Sequence, residues 1–232
     1  KLLRVMHDPE ELLANLERLQ REAGVPHSWV APASLPRLSS RTISAIEQIL
    51  NRLERIELAI DAAREPIQDA DEADLALQAL NWLRLGNAHY YIGLSTKAMT
   101  YYDRARDLQP KNPIPYVNRG FALLATRDTQ EAIDSFNQAT RVDGASPHAY
   151  HGRGIAYQAL GRNRRALDDY NKTIKLAPDF VEGFYNRGVL LHQMDQDDKA
   201  LLDLDMAIKL DHAHVNAHLW RGMVRLATAD YQ

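Results

Sequence analysis

The sequence predicts an all-α fold, an α-solenoid of antiparallel helical hairpins with an N-terminal helical cap. Three observations predict it: self-similarity at a spacing of 34 residues, the smallest and largest side chains at fixed places within that period, and turn signals at the joints. A unit of that length is one supersecondary element. It cannot bury its own apolar face and must stack on its neighbours.

The repeats begin at Pro113, Pro147, Val181 and Val215. The eighth place of each is glycine: Gly120, Gly154, Gly188 and Gly222. Arginine precedes each one, as Arg119, Arg153, Arg187 and Arg221. Tyr116, Tyr150, Phe184 and His218 take the fourth place; Ala132, Ala166 and Ala200 the twentieth; Phe136, Tyr170 and Leu204 the twenty-fourth. One period back, from Ala79, the match includes Trp82, Leu85, Gly86, Ala98, Tyr102, Ala105 and Pro110. A mid-helix glycine costs about 1 kcal/mol against alanine, so its recurrence implies close packing. The large residues then fill the space between hairpins. Asp128 with Glu131, Asp195 with Asp198, and Gly161-Arg162-Asn163 each signal the start of a second helix, while Pro110 and Pro178 close second helices. The predicted array is therefore 79–112, 113–146, 147–180, 181–214 and a truncated 215–232.

The pattern W-x2-L-G-x2-Y followed by alanine, aromatic and proline resembles the tetratricopeptide repeat family, over about residues 79–232. The resemblance implies a right-handed superhelix whose concave face is lined by the first helix of each repeat. Arginine stands where that family carries leucine at the seventh place in four blocks, and Gly144 and His212 replace the closing proline in two. The arginine stripe has two readings. One is an anion-binding ladder; the other, which is favoured, pairs the arginines with acids of the second helices such as Asp134, Asp168, Asp169 and Asp203.

Residues 1–78 do not follow the period but read as helix over about 8–23 and 39–64. Asp8-Pro9-Glu10-Glu11 is a start signal for Leu12, Leu13, Leu16 and Leu19, and three prolines (Pro26, Pro32, Pro36) make 25–38 a connector. Ile43, Ile46, Leu50, Leu53, Ile56 and Ile60 form one stripe of the second helix. It suits a cap over the first hairpin or a dimerisation element, and the cap is favoured because the stripe is shorter than three heptads.

In this family the concave face takes places 2, 5, 6, 9, 12 and 13 of each block. The resemblance thus implies a partner-binding groove containing Arg84, Asn87, Tyr91, Val117, Asn118, Phe121, His151, Ile155, Tyr185, Asn186, Val189 and Trp220. The surface is aromatic, aliphatic and amide-bearing, with little charge, which suits a protein or peptide partner. Asn118 and Asn186 share the sixth place with the asparagine ladders of O-linked N-acetylglucosamine transferases and kinesin light chains, where the amide bonds a peptide backbone. Here Arg84, Gly152 and Trp220 interrupt it, and the alternative is that both amides bond local backbone. The carboxylate clamp of co-chaperones is not expected, since Leu83, His148 and Gly152 occupy its basic places.

Function is thus expected to be that of a non-catalytic interaction scaffold or adaptor. The alternatives are a self-assembling homo-oligomer, which the uncovered Leu219, Met223, Val224 and Leu226 suggest, or the regulatory array of a larger enzyme. No nucleophile or phosphate-loop motif occurs, so no enzyme activity and no cofactor are expected. His214 and His218 have a metal-compatible spacing without a third ligand, and His148 and His151 suit a pH-sensitive contact better than a metal. A net charge of −3 offers no basic field for nucleic acid, and no apolar run is long enough for direct membrane insertion. The absence of cysteine removes disulfides and thiolate sites. The chain starts at Lys1 rather than methionine, so a cytoplasmic location is a default that leaves room for an upstream signal or anchor.

Overall fold

The computed structural model describes residues 72–229 together with 18, 39–40, 43–51 and 54. The expected first helix at 8–23 lies outside the described residues, except Arg18, and so do Leu53, Ile56 and Ile60. Every described element is helical. In chain order they are α1 (Glu72–Tyr91), α2 (Ser95–Leu108), α3 (Pro113–Thr126), α4 (Thr129–Val142), α5 (Pro147–Ala159), α6 (Asn163–Leu176), α7 (Val181–Gln193), α8 (Asp197–Leu210) and α9 (Val215–Ala229). The contacts divide the chain into two compact units, 1–128 and 129–232.

In the first unit α1 pairs with α2, and α3 packs on α2 and more lightly on α1. Trp82 stacks on Tyr101 with ring centroids 5.6 Å apart. Residues 43–51 are helical, with Ile46 and Leu50 only 1% exposed, and Glu54 forms an ion pair with Lys97 of α2 at 2.6 Å.

In the second unit α5–α6 and α7–α8 are hairpins, α4 packs on α5, and α9 packs on α8. The period appears directly as burial. Ala98, Ala132, Ala166 and Ala200 have no exposure, nor do Tyr102, Phe136, Tyr170 and Leu204. Each first helix is followed at the fifteenth place by a left-handed residue: Gly93, Arg127, Gly161 and Asp195, with φ of 85°, 69°, 69° and 58°. The next amide then bonds back to a carbonyl five residues earlier, Leu94 to His89, Asp128 to Leu123, Arg162 to Tyr157 and Gln196 to Leu191, each at 2.9 Å. Asp195 therefore ends α7 instead of capping α8. The N-cap positions of α6 and α8 are Arg162 and Gln196, without side-chain caps.

The arginine stripe is structural. Arg153 clasps Asp169 with two bonds of 2.8 and 2.7 Å, and Arg187 clasps Asp203 with two of 2.7 Å. Each also donates to an asparagine on the preceding second helix, Asn137 or Asn171, at 2.8 Å. Arg119 meets Asp103 at 3.1 Å and Arg221 meets Asp205 at 2.8 Å in that same relation. Each fork of Arg153 and Arg187 thus ties its own hairpin to the one before it, a geometry that suits guanidinium and not ammonium. Asp134 and Asp168, the other candidate acids, are exposed.

Two expectations are corrected by packing. His218 does not enter the hairpin core; it is exposed, and its Nε2 lies 3.1 Å from the His212 carbonyl. It occupies the place from which the Tyr116 and Tyr150 hydroxyls donate to the Pro110 and Gly144 carbonyls. Val224 is fully buried in the cluster of Phe184, Leu204 and Ile208, whereas Leu219, Met223 and Leu226 are exposed.

Candidate functional site

In the first unit, α1 and α3 carry the predicted groove residues Arg84, Asn87, Tyr91, Val117, Asn118 and Phe121. All but Arg84, which is half-buried, are buried. Asn118 has no exposure, and its Nδ2 donates to Asn87 Oδ1 at 2.8 Å. The Tyr102 hydroxyl donates to the same oxygen at 3.0 Å. Asn118 is thus engaged with a side chain of the preceding repeat, a partner that neither sequence reading contained. Such a network satisfies buried polar atoms that would otherwise cost stability.

In the second unit the predicted residues lie on α5 (His151, Ile155), α7 (Tyr185, Asn186, Val189) and α9 (Trp220). Ile155, Tyr185, Asn186 and Trp220 are half-buried; His151 and Val189 are buried. Polar and aromatic contacts cross between the first helices. Asn186 Nδ2 lies 2.8 Å from His151 Nε2, Gln158 Nε2 donates to Gln193 Oε1 at 2.8 Å, and the ring of His192 meets Trp220 edge-on at 6.0 Å. His214 Nε2 lies 3.3 Å from Glu182 Oε1, and its ring tilts against Tyr185 at 4.9 Å.

Burial pushes His151 down to about 3, with His148 adding repulsion, so the ring is neutral and Nε2 accepts from the Asn186 amide. Burial also lowers His148 and, in the first unit, His89. Asn186 is thereby held at one edge and half-exposed at the other. The two asparagines of the interrupted ladder therefore have different environments, Asn118 inside and Asn186 at the surface.

None of places 2, 5, 6, 9, 12 and 13 on α5, α7 and α9 is lysine or arginine. Glu182 is the one acid among them. The clamp's absent charges are matched by apolar packing: Leu83 is 2% exposed, and a Cβ at Gly152 would collide with the Phe136 ring. Among the described residues no group of three or more His, Asp or Glu side chains could hold a metal ion, and no described helix is long and apolar enough to cross a membrane.

The residues that the sequence reading missed sit at the twenty-fifth place: Asp103, Asn137, Asn171 and Asp205. Their signal is present in the period, since all four can accept a hydrogen bond and lie 16 residues before an arginine of the stripe. Pairing confined to single hairpins does not reach them.

Family models for the tetratricopeptide repeat match residues 83–150 and 147–180. No curated protein sequence matches the chain. Among solved structures, the tetratricopeptide protein TTC0263 of Thermus thermophilus aligns with a TM-score of 0.65 at 16% identity, covering 94% of this chain and 100% of that one. MamA aligns with a TM-score of 0.58 at 20% identity, covering 76% and 96%. YrrB, described as having an unusual peptide-binding site, aligns with a TM-score of 0.55 at 18% identity, covering 78% and 86%. At these identities the likeness concerns the fold.

Proposed function

We infer that this chain, a member of the tetratricopeptide repeat family, is a non-catalytic scaffold that holds a partner peptide or helix against the first helices of its hairpins. The observation that carries the reading is the face of α5, α7 and α9. There Ile155, Tyr185 and Trp220 are half-exposed, without a cation at any groove place, and polar side chains are fixed between them. Aromatic anchors with restrained rotamers give contact area at low entropic cost. Asn186, held by His151, is a ready partner for a peptide carbonyl or amide. The lack of lysine and arginine favours a neutral or mildly basic apolar segment over an acidic tail.

On α1 and α3 the role is narrower. Arg84 offers partly exposed surface, while Asn87, Tyr91, Val117, Asn118 and Phe121 form the support beneath. YrrB's peptide-binding site is a precedent within the same fold.

The test is selection of peptides from a displayed random library on the purified chain, followed by binding of the enriched peptide in solution. Tyr185→Ala and Trp220→Ala are expected to weaken it by about tenfold or more each, the scale of a buried aromatic anchor. Peptides that bind both variants as tightly as the parent contradict the assignment.

A further inference from the structure

The second unit carries a separate feature at the turns into α6 and α8. The turn into α6 reads Gly161-Arg162-Asn163-Arg164-Arg165, and the turn into α8, one period later, reads Asp195-Gln196-Asp197-Asp198-Lys199. The first carries three positive charges; the second carries three negative and one positive. Arg162, Arg164 and Arg165 are exposed and make no ion pair among the described residues; Asp195 and Asp198 are likewise exposed and unpaired. By contrast, the stripe arginines Arg119, Arg153, Arg187 and Arg221 all meet an aspartate. Arg165 is steadied over the Tyr157 ring at 5.6 Å, and the five-residue basic turn lines an open hollow of about 540 Å³.

Apolar surface lies beside the charges. Leu167 follows Arg164 by three residues on α6, and Leu202 follows Asp198 by four on α8, so each leucine shares a helix face with its charge. Both leucines line one crevice of about 340 Å³ together with Gln196, Lys199 and, from α7, Arg187 and Leu191, and Leu202 is 71% exposed. The patch therefore has a basic corner at the start of α6 and an acidic corner at the start of α8, two helices that both pack on α7, with a leucine one turn into each. Such a pattern complements itself. A two-fold axis running along and between α6 and α8 sets the arginine turn of one copy opposite the aspartate turn of the other, twice, and Leu167 opposite Leu202.

We propose that this α6–α8 face is a self-association surface, joining two copies of the chain through reciprocal Arg162/Arg164–Asp195/Asp198 pairs around Leu167 and Leu202. The contact leaves the α5–α7–α9 face free, so a dimer presents two partner-binding faces. A patch of this extent belongs with transient interfaces, and its charges make association depend on salt.

The experiment is sedimentation of the 232-residue chain across a concentration series at low and high sodium chloride. The parent is expected to dimerise at low salt and to lose about tenfold or more in affinity when the salt is raised from about 0.05 to about 0.5 M. Arg162→Glu/Arg164→Glu and Asp195→Arg/Asp198→Arg are each expected to be monomeric alone and to form a heterodimer when mixed. That rescue also shows both variants to be folded. A parent that stays monomeric throughout overturns the proposal. It is equally overturned if the parent stays monomeric but binds polyglutamate through the basic turn, which then serves an acidic partner. Dimerisation that both double variants retain, and that Leu219→Asp/Leu226→Asp abolishes, places the contact on α9 and also overturns it.

Discussion

The eighth-place glycines Gly154, Gly188 and Gly222 provide one substitution in three environments of graded tightness, and the comparison of Gly154→Ala with Gly222→Ala is the most informative. A Cβ at Gly154 would lie 2.6 Å from Tyr170 Cε1 and 2.8 Å from Cδ1. Tyr170 has no exposure, and its hydroxyl donates to Gln158 Oε1 at 2.8 Å, so the ring has nowhere to go. Ordinary carbon contacts lie near about 3.5–4.0 Å, so relief needs about 1 Å of helix displacement. Overpacking of that kind costs about 1–3 kcal/mol, and the better helix propensity of alanine returns about 1 kcal/mol. Gly154→Ala is therefore expected to destabilise by up to about 2 kcal/mol. A Cβ at Gly222 meets nothing within 4 Å, so there only the propensity gain of about 0.5–1 kcal/mol remains. Gly188, with Leu204 Cγ at 3.0 Å and the Ala200 carbonyl at 3.2 Å, falls between them. Urea denaturation followed by circular dichroism reads the ordering Gly222→Ala, parent, Gly188→Ala, Gly154→Ala in falling midpoint. Equal destabilisation at all three places, or loss at Gly222, refutes the claim that close packing of the second helix explains the glycines.

Three further outcomes follow from the buried polar groups. His151 is held near 3 against an ordinary 6.5, so between those values the unfolded chain binds a proton that the folded chain does not, and stability falls as pH falls through that window. At about 1.4 kcal/mol per pH unit, the loss from this group at about pH 5 is about 2 kcal/mol, and His151→Gln is expected to flatten the slope of urea midpoint against pH. Arg153→Ala leaves Asp169 buried without its fork and is expected to cost about 2–3 kcal/mol, whereas Arg153→Lys, which keeps the charge without the bidentate geometry, costs less; thermal melts compare the two. Asn118→Ala removes one of the two donors to Asn87 Oδ1 from a fully buried site and is expected to lower stability by about 1–2 kcal/mol, while a selected peptide binds as before.

The hairpins were legible because a period of 34 residues carries helix, turn and packing information together. Ala166 and Tyr170 at one joint, and Gly161 at its turn, each constrain the same geometry. The N-terminal stripe was legible as a buried face in Ile46 and Leu50. The differing roles of Asn118 and Asn186 were not legible, since both occupy one place in the period. What separates them is the neighbour each meets: Asn87 and Tyr102 for the first, a neutral His151 for the second. Likewise the arginine stripe announced acids at the right period, but a long side chain reaches two helices, and place within a repeat does not say which. Asn137 and Asn171 are uncharged, so charge pairing alone does not point to them.

On the proposed function, a partner segment lies on the first helices of the hairpins. Amide hydrogen exchange of the chain with and without a selected peptide tests it most directly. Slowed exchange is expected in α5, α7 and α9 around Ile155, Tyr185, Val189 and Trp220, with α6 and α8 unchanged. Protection confined to α6 and α8, with the first helices unaffected, contradicts it.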